Sequence, residues 1–137
     1  MYETILLPTD GSTGSDRAEQ IALDLAGEFQ ADVHAMHVID TRHFSEPALS
    51  TMELVTDEAE DAAMALLREV IDEGDERGVE VTSHCCHGVP HEEILAYAED
   101  IDADLIVMGY RGQTHSQKIG SVVDRVLQAT DRQVLAV

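Results

Sequence analysis

The sequence predicts an α/β protein: five parallel strands in one sheet, with helices on both faces, in the order βαβαβαβαβ. One observation and one general rule predict it. Short apolar runs alternate with amphipathic stretches of helical period along all 137 residues. Strands joined by helical crossovers form parallel sheets that are covered on both faces. The length suits one domain over residues 1–137, and with 44% hydrophobic residues the chain can build a single core.

The elements follow in order. Glu3 to Thr9 holds Ile5-Leu6-Leu7 and reads as a buried strand. Asp10-Gly11-Ser12-Thr13-Gly14 is a turn, with Thr13 or Ser15 as the expected N-cap. Ala18, Ile21, Ala22, Leu25 and Phe29 then keep helical spacing. Asp32 to Asp40 is the second strand and Thr41 to Leu49 a loop. Ser50-Thr51-Met52-Glu53 fits a capping box for a helix running to Arg77, and Gly78 fits its C-terminus. Val79 to Ser83 is the third strand, with a loop from residue 84. Pro90 suits the first turn of a helix to Glu99. Leu105 to Met108, Ser121 to Ala129 and Val134 to Val137 complete the series as strand, helix and strand. Ligands of such sheets bind at the carboxyl ends of the strands, so the loops at 8–15, 39–49, 84–90 and 109–121 matter most.

Charge excludes several functions. Twenty-eight acids face seven arginines and one lysine, a net charge of −20. Such a surface repels nucleic acid and anionic lipid, so neither is an expected partner. It also repels itself unless salt screens it, and the Debye length falls to about 3 Å at 1 M. The expectation is a protein of a high-salt cytoplasm. Residues 1–8 lack the basic start of a secretory signal, and no apolar run approaches a membrane span.

One stretch breaks the pattern. Residues 105–123 contain no Asp or Glu. Beyond the strand they hold Arg111, Lys118, hydroxyl residues and the glycines Gly109, Gly112 and Gly120, just ahead of a helix N-terminus. Cations, backbone N–H groups and the helix dipole all favour an anion there, and glycine lets phosphate approach closely. A solvated glycine loop is the plain alternative. Walker A does not fit, because Ile119 and Gly120 separate Lys118 from Ser121. The dinucleotide fingerprint does not fit either, because the first turn offers only Gly11 and Gly14.

Four segments carry a resemblance. They are Ile5-Leu6-Leu7-Pro8-Thr9-Asp10-Gly11-Ser12, His37-Val38-Ile39-Asp40, Gly88-Val89-Pro90 with Ile94, and Ala103 to Val122. In this order they resemble the universal stress protein family along the whole chain. The resemblance implies a Rossmann-like sheet and a homodimer through the last strand, Val134–Val137. It also implies ATP as ligand; a triphosphate would in turn bring Mg²⁺, held through Ser121 and phosphate oxygens. By it, Asp10 and the Val38 backbone would face adenine, and Pro8 and Thr9 would line the site. Met108, Gly109 and Gly112 would follow ribose and phosphate, and Gly120, Ser121, Val122 and Val123 would hold phosphates. Arg111 and Lys118 would add charge. Nucleotide-binding members carry Gly-x2-Gly-x9-Gly-Ser/Thr, whereas only seven residues separate Gly112 from Gly120 here. The alternative is therefore a member that binds no nucleotide and works through protein contacts, with partners the sequence does not name.

Other constellations read as structure. His84-Cys85-Cys86-His87, with His91, has metal-ligating types but lacks ligand spacing, and neighbours on a strand point to opposite faces. His34 and His37 fall on opposite faces of one strand and pack separately. The apolar face of the helix over 51–77 reads as core. No nucleophile stands with a base, so turnover beyond slow ATP hydrolysis is not expected. The Ser-Gly-Gly-x-Asp-Ser loop of adenylating pyrophosphatases is matched poorly by Asp10 to Ser15.

Overall fold

The computed structural model describes residues 2–40, 49–110 and 119–137, with backbone alone over 49–56. The elements are β1 (Thr4–Pro8), α1 (Thr13–Phe29), β2 (Asp32–Asp40), α2 (Leu49–Arg77), β3 (Val81–Gly88), α3 (Pro90–Asp100), β4 (Leu105–Met108), α4 (Ser121–Ala129) and β5 (Gln133–Ala136). The strands form one parallel sheet in the order β3-β2-β1-β4-β5. The expected fold class and order of elements are those observed.

The sheet separates two apolar layers. Ile5, Leu7, Val33, Ala35 and Val107 face Ala22, Leu23, Leu67 and Val70 of α1 and α2. Leu6, Met36, Ile106 and Met108 face Ile94, Ala98, Val123 and Val126 of α3 and α4. Alternate residues of each inner strand serve opposite layers, so both faces are apolar and the strands read as continuous runs. No helix among the described residues is long and apolar enough to cross a membrane.

Several boundaries differ from expectation. The N-cap of α1 is Ser12, whose hydroxyl accepts the Ser15 N–H at 3.2 Å. Thr13 is already helical, and Ser15 is buried with its hydroxyl bonded to Thr9. The third strand starts at Val81 rather than Val79, because Val79 N–H closes the end of α2 on the Gly74 carbonyl at 2.8 Å. Gly78 supplies the expected helix stop at φ 71°, a value that suits glycine. That strand also continues through His84–Gly88, where a loop was expected. The reason is its partner: β2 runs nine residues and pairs β3 from Val33–Val81 to Asp40–Gly88. A sheet edge tolerates this polar sequence because one side of the strand meets solvent. α2 begins at Leu49, and the side chains of the Ser50–Glu53 capping box lie outside what the structure describes. β5 is an edge strand, as expected, and is displaced by one residue to Gln133–Ala136.

Candidate functional site

The strand order reverses between β1 and β4, so the chain leaves their carboxyl ends in opposite directions. A cleft of about 920 Å³ opens there. Its floor is the end of β1 and the turn into α1. Pro8, Thr9 and Asp10 line it, as do Val38, Met108, Gly109, Gly120, Ser121, Val122 and Val123. The structure thus brings together every candidate residue that it describes. Arg111, Gly112 and Lys118 lie outside the described residues.

Each wall has a physical origin. β2 outruns β1: their register ends at Pro8–Met36. Beyond that point β1 no longer runs beside β2, and Val38 lines the cleft. The β1–α1 turn is held by a short network. Asp10 accepts the Ser12 N–H at 2.9 Å, and Ser15 Oγ accepts the Asp10 N–H at 3.3 Å and bonds the Thr9 hydroxyl. β4 hands over to its loop at Gly109, which is glycine for a steric reason. A Cβ there would lie 2.6 Å from Gly14 C and 2.9 Å from Ser15 N. The N-terminus of α1 therefore packs directly on the backbone at the end of β4.

The opposite wall is the first turn of α4. Its N-cap, Gly120, provides no capping side chain. The N–H groups of a first helical turn have no intrahelical acceptor, and the helix dipole makes them a site for negative charge. The segment entering this turn is tied to the sheet. Gly120 N–H donates to the Tyr110 carbonyl at 2.7 Å, Tyr110 N–H to the Val137 carbonyl at 2.6 Å, and Val137 N–H to the Met108 carbonyl at 2.9 Å.

Sequence reasoning missed one wall. Ala59, Ala62, Ala63 and Leu66 of α2 line the cleft, although that helix reads as core. The signal was present, since small residues recur at helical spacing where a larger core residue would be expected. His37, expected to pack apart from the site, and Asp40, expected only as part of the family segment, also line the cleft.

The His/Cys run diverges across the sheet. His84 stacks on Tyr97 at 4.1 Å, and His87 Nε2 meets Glu60 Oε1 at 2.9 Å on α2. Cys85 packs against the α1–α2 layer and Cys86 against the other. Burial pushes both thiols up, Cys86 to about 11, with the Glu93 charge adding to it, so neither is a ready thiolate. Among the described residues no group of three or more His, Cys, Asp or Glu is placed to hold a metal ion. His34 and His37 occupy opposite faces: His34 meets Tyr97 Oη at 3.2 Å, and His37 Nδ1 donates to the Thr9 carbonyl at 2.7 Å.

The sequence pattern of the Universal stress protein family matches residues 1–137. A universal stress protein of Methanocaldococcus jannaschii is 38% identical over 140 residues, covering 100% of this chain and 82% of that protein. The solved structure of a second M. jannaschii universal stress protein superposes with a TM-score of 0.84 at 30% identity, over 100% of this chain and 96% of that one. Two further structures are of universal stress proteins in complex with nucleotides. One holds cAMP (TM-score 0.75, 24% identity, 99% of this chain and 96% of that one). The other, from Archaeoglobus fulgidus, holds dAMP (TM-score 0.76, 22% identity, 98% and 97%). At those identities the likeness is one of fold.

Proposed function

From the premise that the chain belongs to the universal stress protein family, we propose that it is a single-domain, cytoplasmic adenine-nucleotide-binding module that works as a homodimer at high salt. One observation carries the ligand reading: Asp10, Val38, Gly109 and the glycine-capped N-terminus of α4 line one cleft at the switch point. The donor set suits an adenine nucleotide. Asp10 and the Val38 backbone offer a carboxylate and peptide groups to a base. The first-turn N–H groups of α4 and the Ser121 hydroxyl suit phosphates. Bound ATP would supply charge for Ser121 and a magnesium ion to share. The same fold holds cAMP and dAMP in relatives.

Two further observations support the wider reading. β5 is an edge strand whose Leu135 is 38% exposed, which favours pairing across a two-fold axis. A net charge of −20 favours a screening medium. The test is calorimetric titration of Mg·ATP in molar KCl, beside Gly120→Glu, whose carboxylate fills the phosphate end and repels it. Micromolar binding that the variant loses is the expected result. No binding by the parent protein would overturn the nucleotide reading. It would favour the second one, contacts with proteins alone, to which the seven-residue spacing from Gly112 to Gly120 points.

A further inference from the structure

The turn between β1 and α1 begins where the parallel ladder runs out. Thr9 N–H still donates to the Met36 carbonyl at 2.8 Å. The chain then leaves the sheet at Asp10, and a side chain takes over from the ladder: His37 Nδ1 lies 2.7 Å from the Thr9 carbonyl oxygen. A carbonyl only accepts, so Nδ1 carries the proton. Thr9 is 8% exposed, so water is poorly placed to replace that donor. On its other side Thr9 bonds Ser15, and Ser15 Oγ accepts the Asp10 N–H at 3.3 Å. One chain of contacts therefore runs from β2 through His37 and Thr9 to Asp10, and all three residues line the cleft.

We infer that His37 is a positioning residue of this site: its Nδ1–H fixes the Thr9–Asp10 turn in the orientation that receives an adenine base. The inference rests on the nucleotide reading above. The role belongs to the donated hydrogen and not to the bulk of the ring. An asparagine amide can place an N–H near the Nδ1 position, whereas leucine offers size without a donor.

The test uses the full chain in molar KCl with two readouts: Mg·ATP affinity, and hydrogen exchange of the Asp10 amide without nucleotide. His37→Leu is expected to weaken ATP about tenfold and to speed Asp10 exchange about tenfold, as loss of one buried hydrogen bond allows. His37→Asn is expected to keep both within about threefold of the parent. A folded His37→Leu that binds and exchanges like the parent overturns the inference. So does an asparagine variant as impaired as the leucine one. If the parent binds no ATP, the nucleotide reading fails and Asp10 exchange alone decides whether His37 holds the turn. If the leucine variant does not fold, the ¹⁵N spectrum of parent His37 decides: a protonated Nδ1 supports the inference, and a bare Nδ1 overturns it.

Discussion

Gly109→Ala probes the joint between the sheet and the cleft. The new Cβ would stand 2.6 Å from Gly14 C, 2.8 Å from Gly14 O and 2.9 Å from Ser15 N. Carbon atoms in contact prefer about 3.5–4.0 Å, so the first turn of α1 must retreat by about 1 Å. All three neighbours are backbone, and no rotamer change can relieve them. Overpacking of this kind costs about 1–3 kcal/mol, and a backbone clash belongs at the upper end. Gly109 does not occupy positive φ, so alanine recovers about 0.4–1 kcal/mol by restricting the unfolded chain. The net loss is about 2 kcal/mol. Unfolding entropy of about 2.1 cal/mol/K per residue over 137 residues turns that into a Tm lower by about 7 °C. The control is Gly27→Ala, at an exposed position of α1 where a Cβ meets nothing within 4 Å. It should raise stability by about 0.5–1 kcal/mol. Thermal unfolding followed by circular dichroism in molar KCl compares the two. Gly109→Ala within about 2 °C of the parent would refute the steric argument. ATP affinity should fall in step, because Ser15 moves with the turn and holds Asp10.

Three other outcomes are expected. Leu135→Arg puts like charges face to face across a paired β5 edge, so sedimentation should change from dimer in the parent to monomer in the variant. Burial holds the Glu19 carboxyl above its ordinary range, with Asp16, Glu73 and Glu69 adding to it. The stability from its protonated form is present at low pH and lost as pH rises through the raised value. Glu19→Gln should therefore stabilise the fold at neutral pH by a few tenths of a kcal/mol per relieved neighbour, and more in dilute buffer than in molar KCl. Burial pushes His34 down, and His84 adds to this while Asp32 opposes it. The fold thus favours neutral His34, and that stability is lost as pH falls below the ordinary imidazole range. The Tm drop between about pH 7 and about pH 5 should be smaller in His34→Gln than in the parent.

The inner strands were legible because they are buried on both faces. Leu105–Met108 and Asp32–Asp40 stand in the structure at the bounds their apolar runs suggest. The third strand was not, because His84–Gly88 is polar and its pairing is dictated by the length of β2, a partner far away in sequence. The cap of α1 misled for a local reason. Ser12, Thr13 and Ser15 are all good caps, and only the contact of Ser15 with Thr9 shows that its hydroxyl is taken. The cleft was legible as a set of strand ends and through family resemblance. The alanine wall of α2 left only its small-residue spacing as a signal and the bond from His37 to Thr9 left none, since each depends on how two distant segments meet.

Tyr110 and Gly120 have a consequence for how this protein can vary. Their mutual hydrogen bond, with Val137 on the other side of Tyr110, makes a fixed gate at the rim of the sheet. Whatever sequence lies between them begins and ends at the same two posts. Adding two residues to the nine between those posts changes closure entropy by only about 0.2 kcal/mol, since the cost grows with the logarithm of length. The posts, the sheet edge and the N-terminus of α4 therefore set the two ends of that stretch whatever its length.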